Sequence, residues 1–536
     1  MRFNLRSAIF KRIFSICMTL PVLCMILLCG CSLLSNQKTS SSQADKSDSQ
    51  TEASETSENA IKSEKIGRLS VHKEGRYLQK ENGEPFFWLA DTAWELAHRL
   101  NRAEVDTYLQ DRANKGFNVI KFVLLAELDG LTKRNAYGDL PLMDYSPAKP
   151  YITEGNDPDN PDEYDYWDHA DYIIDRCEQL NLYAGVLPTW GDKVLIKWGP
   201  GPEIFNTSNA YTYGWFLGNR YKDKKNIVWI LGGDRPAAEG PKDKKDIWRA
   251  LAEGIADGVN GVNDQDGNAD YSTTIMTYHP VGGKSSSAWF HEDEWLDFNM
   301  YQSGHSSRDN SYVWKQMALD WSKTPPKPSF DGEPNYEDNY FKNNISNGSF
   351  TDYDVRKASY RCVFSGGMGI TYGAHAIWQM YAPDKKAIGS NSKYWYDSLN
   401  LPGAFQMVHL KNLMLSRPYF ERIPDDTLVE EIGDAGDRMA ATRASDGSYA
   451  MVYFPKETLS RKIFSSKLSG KQIKAWWYNP RDGKCYDQQG RETADPFKIF
   501  DKADETFNPP GENDSSDWIL ILDDASKSYP IPGHKK

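Results

Sequence analysis

Apolar runs of β character recur along the middle of this chain, and most are followed by a stretch with the spacing of an amphipathic helix. The runs are Pro85–Ala90, Phe117–Leu124, Leu182–Leu187, Ile227–Leu231, Thr273–Tyr278, Leu296–Tyr301, Pro328–Asp331 and Gly369–Tyr372. Amphipathic segments such as Arg102–Lys115 and Tyr166–Leu180 lie between them. Strands alternating with helices imply right-handed crossovers and a parallel sheet. Eight such units predict an α/β fold, a (β/α)8 TIM barrel, over residues 66–421. From residue 422 the pattern changes to short strands and turns: Arg438–Arg443, Tyr449–Phe454, Lys474–Tyr478 and Trp518–Leu522. Asp446-Gly447 and Asp482-Gly483 are hairpin signals. A small C-terminal antiparallel β-sandwich over 422–525 is therefore expected, with a tail at 526–536.

The first 31 residues read differently. Arg2, Arg6, Lys11 and Arg12 form a basic start, and an apolar run from Ile13 to Leu28 follows, which is the layout of a signal peptide. Leu28-Cys29-Gly30-Cys31 resembles the bacterial lipoprotein cleavage box with Cys31 as the lipidated residue, although Cys29 stands where a small residue is more common. Residues 32–65 are Ser, Thr, Glu, Lys, Gln and Asn with almost no apolar content, the composition of a flexible tether. The expected address is that of an exported, membrane-anchored lipoprotein at the cell surface. Beyond the tether only Cys177, Cys362 and Cys485 remain, too few and too scattered for a disulfide framework.

The chain has 536 residues, 13 % of them aromatic, including 17 Trp and 30 Tyr. Such a load serves a large core and also the aromatic surfaces on which sugar rings stack. A formal net charge of −12 argues against a nucleic-acid partner, because phosphate binding needs a basic footprint.

The active site of a (β/α)8 barrel lies at the C-terminal ends of its strands, and those ends are polar here. Asp91 to Trp94, Thr189 to Asp192, Gly233-Asp234-Arg235, Tyr278-His279, Tyr301-Gln302, Gly332 to Asn335 and His375 to Trp378 follow seven of the eight runs. Carboxylates, amides, His and Trp around one mouth suit an oligo- or polysaccharide. Glycoside hydrolysis needs two carboxyl groups flanking the scissile bond. The strongest pair is Asp234 after the fourth strand and Glu333 after the seventh, whose ends face each other across a barrel mouth. Asp91, Asp192, Asp331 and Glu337 compete as alternatives. Candidate substrate-binding residues are Asp91, Trp94, Lys121, Trp190, Asp192, Arg235, His279, Tyr301, Gln302 and Trp378. The Gly-Gly before Asp234 reads as backbone space for a sugar beside a catalytic acid. No cofactor or metal is expected: His291-Glu-Asp-Glu-Trp295 lacks the second His of a zinc helix. A monomer is expected.

Four ordered segments carry a family resemblance: Trp88–Trp94, Gly116–Lys121, Trp229–Arg235 and Asp331–Pro334. They resemble glycoside hydrolase family 140, the apiosidase-like proteins that cut apiose linkages in rhamnogalacturonan II. An acid/base after strand four and a nucleophile after strand seven is also the placement of the wider retaining glycosidase clan. That clan usually shows Asn-Glu after strand four, where this chain has Gly-Gly-Asp. The resemblance implies that Asp234 is the acid/base and Glu333 the nucleophile. The C-terminal segment resembles the collagen-binding-type module found behind apiosidase-like barrels, though nothing in its residues points to collagen. The alternative is a non-catalytic, tethered carbohydrate-binding lipoprotein on the same barrel.

Overall fold

The computed structural model describes residues 66–309, 312–390 and 393–535. The signal segment, Cys31 and the tether lie outside these residues. Eight parallel strands make one sheet: β1 (Trp88–Thr92), β2 (Val119–Val123), β3 (Tyr183–Leu187), β4 (Ile227–Gly232), β5 (Met276–His279), β6 (Asn299–Tyr301), β7 (Ser329–Asp331) and β8 (Gly369–Tyr372). The hydrogen-bonded order β5-β4-β3-β2-β1-β8-β7-β6 leaves only the β5–β6 seam without a strand ladder. That seam is closed by other means. Asp297 N donates to Met276 O at 3.0 Å, Met276 N to Asp297 Oδ2 at 2.7 Å, and the Thr277 hydroxyl to Phe298 O at 2.7 Å. The barrel is thus nearly closed, as the alternating pattern predicts.

The main helices are α1 (Arg102–Asn114), α2 (Tyr166–Gln179), α3 (Thr207–Arg220), α4 (Lys245–Asn260), α5 (Val313–Trp321), α6 (Asp352–Phe364) and α7 (Pro402–Leu415). Their starts are written in the sequence. Asn101 accepts from Glu104 N at 3.0 Å while Glu104 reaches back to Asn101 N at 2.9 Å, a capping box that α2 repeats with Asp165 and Asp168.

Strand parity decides which side chains enter the barrel. In β1, Trp88 points inward and meets Phe298 and Phe330, with ring centroids 5.8 and 5.0 Å away, so these three rings fill the interior below the mouth. Leu89 and Asp91 therefore face the helices.

The C-terminal region is a seven-stranded antiparallel sheet covering 422–524, with a ribbon pairing Arg461–Ile463 with Glu505–Phe507. Its alternation sorts residues between two cores. Ala450, Val452 and Phe454 join Ile463 and Phe507 beneath the ribbon, whereas Tyr449, Met451 and Tyr453 join the barrel's own core. Buried ion pairs tie the sheet down: Arg356 of α6 lies 3.0 Å from Asp517, and Arg417 lies 2.8 Å from Asp523.

Candidate active site

The end of β4 is bent by three consecutive residues with positive φ: Gly232 (90°), Gly233 (123°) and Asp234 (48°). The glycines are required here. A Cβ on Gly232 would stand 2.3 Å from His279 O, and one on Gly233 would stand 2.8 Å from Gly191 N and 2.9 Å from the Trp190 ring. Protein atoms, and not a sugar, fill the space that these glycines leave open. Asp234 itself tolerates the left-handed region better than most residues do.

The bend turns Asp234 N toward His279, 3.2 Å from Nδ1. Nδ1 also lies 3.1 Å from the Pro280 carbonyl, so its two contacts pull in opposite directions, and it is the Glu333 carboxylate, which can only accept, that places a proton on Nε2. Nε2 lies 3.1 Å from Glu333 Oε2. One imidazole thus links the backbone of one carboxylate residue to the side chain of the other. The second Glu333 oxygen is 3.3 Å from His305 Nε2, and the His305 ring packs on Tyr336 with centroids 4.5 Å apart. Glu333 is also placed by its backbone: its N–H donates to Asp331 Oδ1 at 3.3 Å, and its carbonyl accepts from Gly304 N at 2.9 Å.

These surroundings push the two carboxyls apart. Burial, then the charges of Glu333 and Glu127, raise Asp234 well above the usual Asp range, against the opposing Arg235 cation and a Gln302 hydrogen bond. Burial also acts to raise Glu333, but the hydrogen bonds from His279 and His305 outweigh it and hold that carboxyl well below its ordinary value. The two shifts run in opposite directions on the same cleft, the kind of split that separates an acid from a nucleophile.

Both groups open onto a cleft of about 340 Å³, which Trp94, Trp190, Trp198, Glu127, His305, Tyr336 and Trp378 help to line. Asp234 is 23 % exposed and Glu333 9 %. Trp94 and Trp190 pack on each other with centroids 5.1 Å apart, and both flank the His279 ring, at 5.4 and 5.7 Å. Lys121 lies beneath this floor, fully buried, donating to the Gly332 carbonyl and 4.4 Å from the Trp94 ring centroid. Burial pulls it down to about 7, against the raising effect of Glu333. Arg235 is fully buried too: it donates to Asp234 O at 2.8 Å, Glu127 Oε1 at 3.0 Å and Trp198 O at 2.6 Å. Neither cation faces the cleft, so the expectation that they touch substrate is corrected to support from behind.

Three further candidates are corrected by parity and pairing. Asp91 faces the helices, where it accepts from the Tyr108 hydroxyl at 2.8 Å and sits 3.2 Å from Arg112 Nε. Tyr301 also points outward, into an apolar cluster with Val313, Trp314, Met317 and Cys362. Asp192 is fully buried and neutralised by Lys193, with Nζ at 2.8 and 3.0 Å from its oxygens. Of the competing carboxylates, Glu337 accepts from the Tyr372 hydroxyl at 2.6 Å and from Gly403 N, a structural arrangement. Trp94, Trp190 and Trp378 do line the cleft, while His279 and Gln302 reach the carboxylates. Sequence reasoning missed Glu127, Trp198, His305 and Tyr336, all on loops past strand ends. Among the described residues, no group of three or more His, Cys, Asp and Glu side chains is disposed to hold a metal ion.

Comparison with known proteins agrees with this geometry. The family described as "Apiosidase-like, catalytic domain" matches residues 72–421, and the family described as "Putative collagen-binding domain of a collagenase" matches 423–523. A solved structure named "Glycoside hydrolase" is 36 % identical with TM-score 0.75, covering 86 % of this chain and 98 % of its own. A glycoside hydrolase family 5 protein from Bacteroides vulgatus is 34 % identical with TM-score 0.75, covering 88 % and 96 %. No curated protein matches the chain. A glycoside hydrolase-type barrel that carries two oppositely tuned carboxyls on one cleft is matched over most of its length by one family, and the chain belongs to the apiosidase-like catalytic-domain family.

Proposed function

We propose that the protein is a retaining glycosidase of plant cell-wall side chains, removing apiosyl residues, with Asp234 as acid/base and Glu333 as nucleophile. The observation that carries the proposal is two carboxyl side chains lining one cleft, Glu333 between His279 and His305 and Asp234 tied through its backbone to the same His279. Glu333 attacks the anomeric carbon while Asp234 gives its proton to the departing glycosidic oxygen. Asp234, now ionised, takes a proton from water as that water attacks the same carbon, and Glu333 leaves as the carboxylate. The apiose specificity and the pectic substrate rest on the family match and on the four motifs that resemble family 140.

The test is turnover of pectic glycans. Glu333→Gln and Asp234→Asn are each expected to lower turnover at least ~10³-fold. NMR of the first-formed product should show the anomer of the substrate; the inverted anomer would remove the nucleophile role from Glu333. A screen of sugars released from pectic, xylan and host-glycan fractions tests the apiose assignment. Binding without release of any sugar would favour the tethered binding-protein reading. The address is proposed on the N-terminal pattern: Cys31→Ser should abolish lipid labelling and membrane association, and labelling that persists would refute it.

A further inference from the structure

The two walls of the cleft are not alike. Glu333 belongs to a wall built from His305 and Tyr336, while Asp234 belongs to one that continues through Arg235 to Glu127 and Trp198. A catalytic acid delivers its proton to the leaving oxygen, so the departing group lies on the acid's side. Trp198 stands on that side with 40 % of its surface exposed. Trp94 and Trp190 are almost fully buried and pack on one another, so they form floor, whereas Trp198 presents open ring to the cleft.

The indole is also held still. Arg235 covers one of its faces, with the guanidinium carbon 4.2 Å from the ring centroid, and grips its carbonyl at 2.6 Å. The next residue, Gly199, has φ +85°, and a Cβ there would come within 3.1 Å of Arg235 Nη2. The loop therefore sits tight against a buried cation that Asp234 O and Glu127 hold in turn. A large ring fixed before the ligand arrives loses little entropy on binding, and that is what makes an aromatic an effective anchor. Glu127 lines the same wall.

We propose that Trp198 is the platform of the leaving-group subsite, stacking the sugar ring that departs, with the Glu127 carboxylate beside it accepting from that sugar's hydroxyls. The proposal rests on the assignment of Asp234 as the acid, and the test separates the two. Three apiosides that differ only in leaving group are compared by kcat/KM: a sugar (bulky and poor), 2,4-dinitrophenyl (bulky and good) and fluoride (small and good). Trp198→Ala should slow the first two ~10- to 30-fold, as truncation of an anchoring aromatic does, and leave the fluoride unchanged. Trp198→Phe should recover most of the loss. Asp234→Asn should slow the sugar substrate alone, because only that leaving group needs a proton. Equal losses on all three substrates in Trp198→Ala, or no loss on the sugar substrate, would overturn the platform. A sugar substrate insensitive to Asp234→Asn would overturn the acid assignment instead. If the wild type turns over no apioside, the donor reading fails, and the same three leaving groups on the sugar that the enzyme releases from pectin decide the platform.

Discussion

His279 touches both residues proposed to carry the chemistry, so its removal has a calculable effect. In His279→Ala, Glu333 loses the hydrogen bond from Nε2 at 3.1 Å and keeps the one from His305 at 3.3 Å. A hydrogen bond to a charged group contributes about 1.5–3 kcal/mol. One pKa unit corresponds to about 1.4 kcal/mol, so the Glu333 carboxyl should rise by about 1–2 units. The sign follows from the structure: the bond stabilises the ionised form, and its loss makes protonation easier. Activity that needs the carboxylate is then lost at a higher pH. The assay is kcat/KM against pH on a dinitrophenyl glycoside, whose leaving group needs no proton from Asp234, so the acid limb reports the nucleophile alone. The expected result is an acid limb displaced upward by about 1–2 units, with a lower plateau because the carboxylate is less well held. A thermal melt confirms that the variant is folded. A lowered plateau with an unmoved acid limb would refute the reasoning and reduce His279 to packing.

Three other outcomes follow. Asp234 has a folded pKa above its unfolded value, so its ionisation costs stability from the ordinary Asp range (about pH 4) upward; Asp234→Asn should therefore raise Tm by a margin absent below that pH and growing above it, and a constant margin would contradict the shift. Gly233→Ala should fold yet lose activity ~10-fold or more, because a side chain at φ 123° meets the Trp190 ring and displaces Asp234; wild-type kinetics would show that the bend is not needed. Arg356→Ala should destabilise the protein by about 3–5 kcal/mol in urea titration, since it strips the buried Asp517 of its closest cation; a loss below about 1 kcal/mol would mean that Arg481, 3.3 Å from the same oxygen, suffices alone.

How far the sequence could be read depended on the kind of signal. The eight strands and the two carboxyl residues that share the cleft were legible because buried parallel strands are continuous apolar runs, and polar residues crowd their ends. Asp91 and Tyr301 stand at strand ends but on the outward parity, which position at a strand end does not reveal. Trp88 inward puts Asp91 outward, and Phe298 inward does the same to Tyr301. Asp192 was misjudged because its neutralising partner is simply the next residue, Lys193. Trp198, Glu127, His305 and Tyr336 carry no periodic signal at all. They sit on loops whose course is set by tertiary contacts such as the Arg235–Trp198 and His305–Tyr336 pairs. Glu127, His305 and Tyr336 had only the cue of nearness, lying within a few residues of the strand ends at Leu124, Tyr301 and Asp331.

The Gly-Gly-Asp ending bends the strand so that the backbone of Asp234 meets His279. The wider clan resembled by this chain places a Glu after the fourth strand, and Asp is one methylene shorter. A shorter side chain on an ordinary strand end would stand farther from its partner. Here the backbone is curled by three successive positive φ values, which only glycines and a tolerant Asp can sustain. The same curl aims Asp234 N at His279 Nδ1, and the opposite nitrogen of that ring is fixed on Glu333. One rigid ring thus spans from the backbone of Asp234 to the carboxylate of Glu333, and the bend in the strand is what brings that backbone to it. Against burial, the same ring lowers the Glu333 carboxyl, while burial first and the Glu333 charge second raise Asp234. The bend that places Asp234 N and the contact that lowers Glu333 thus share one imidazole.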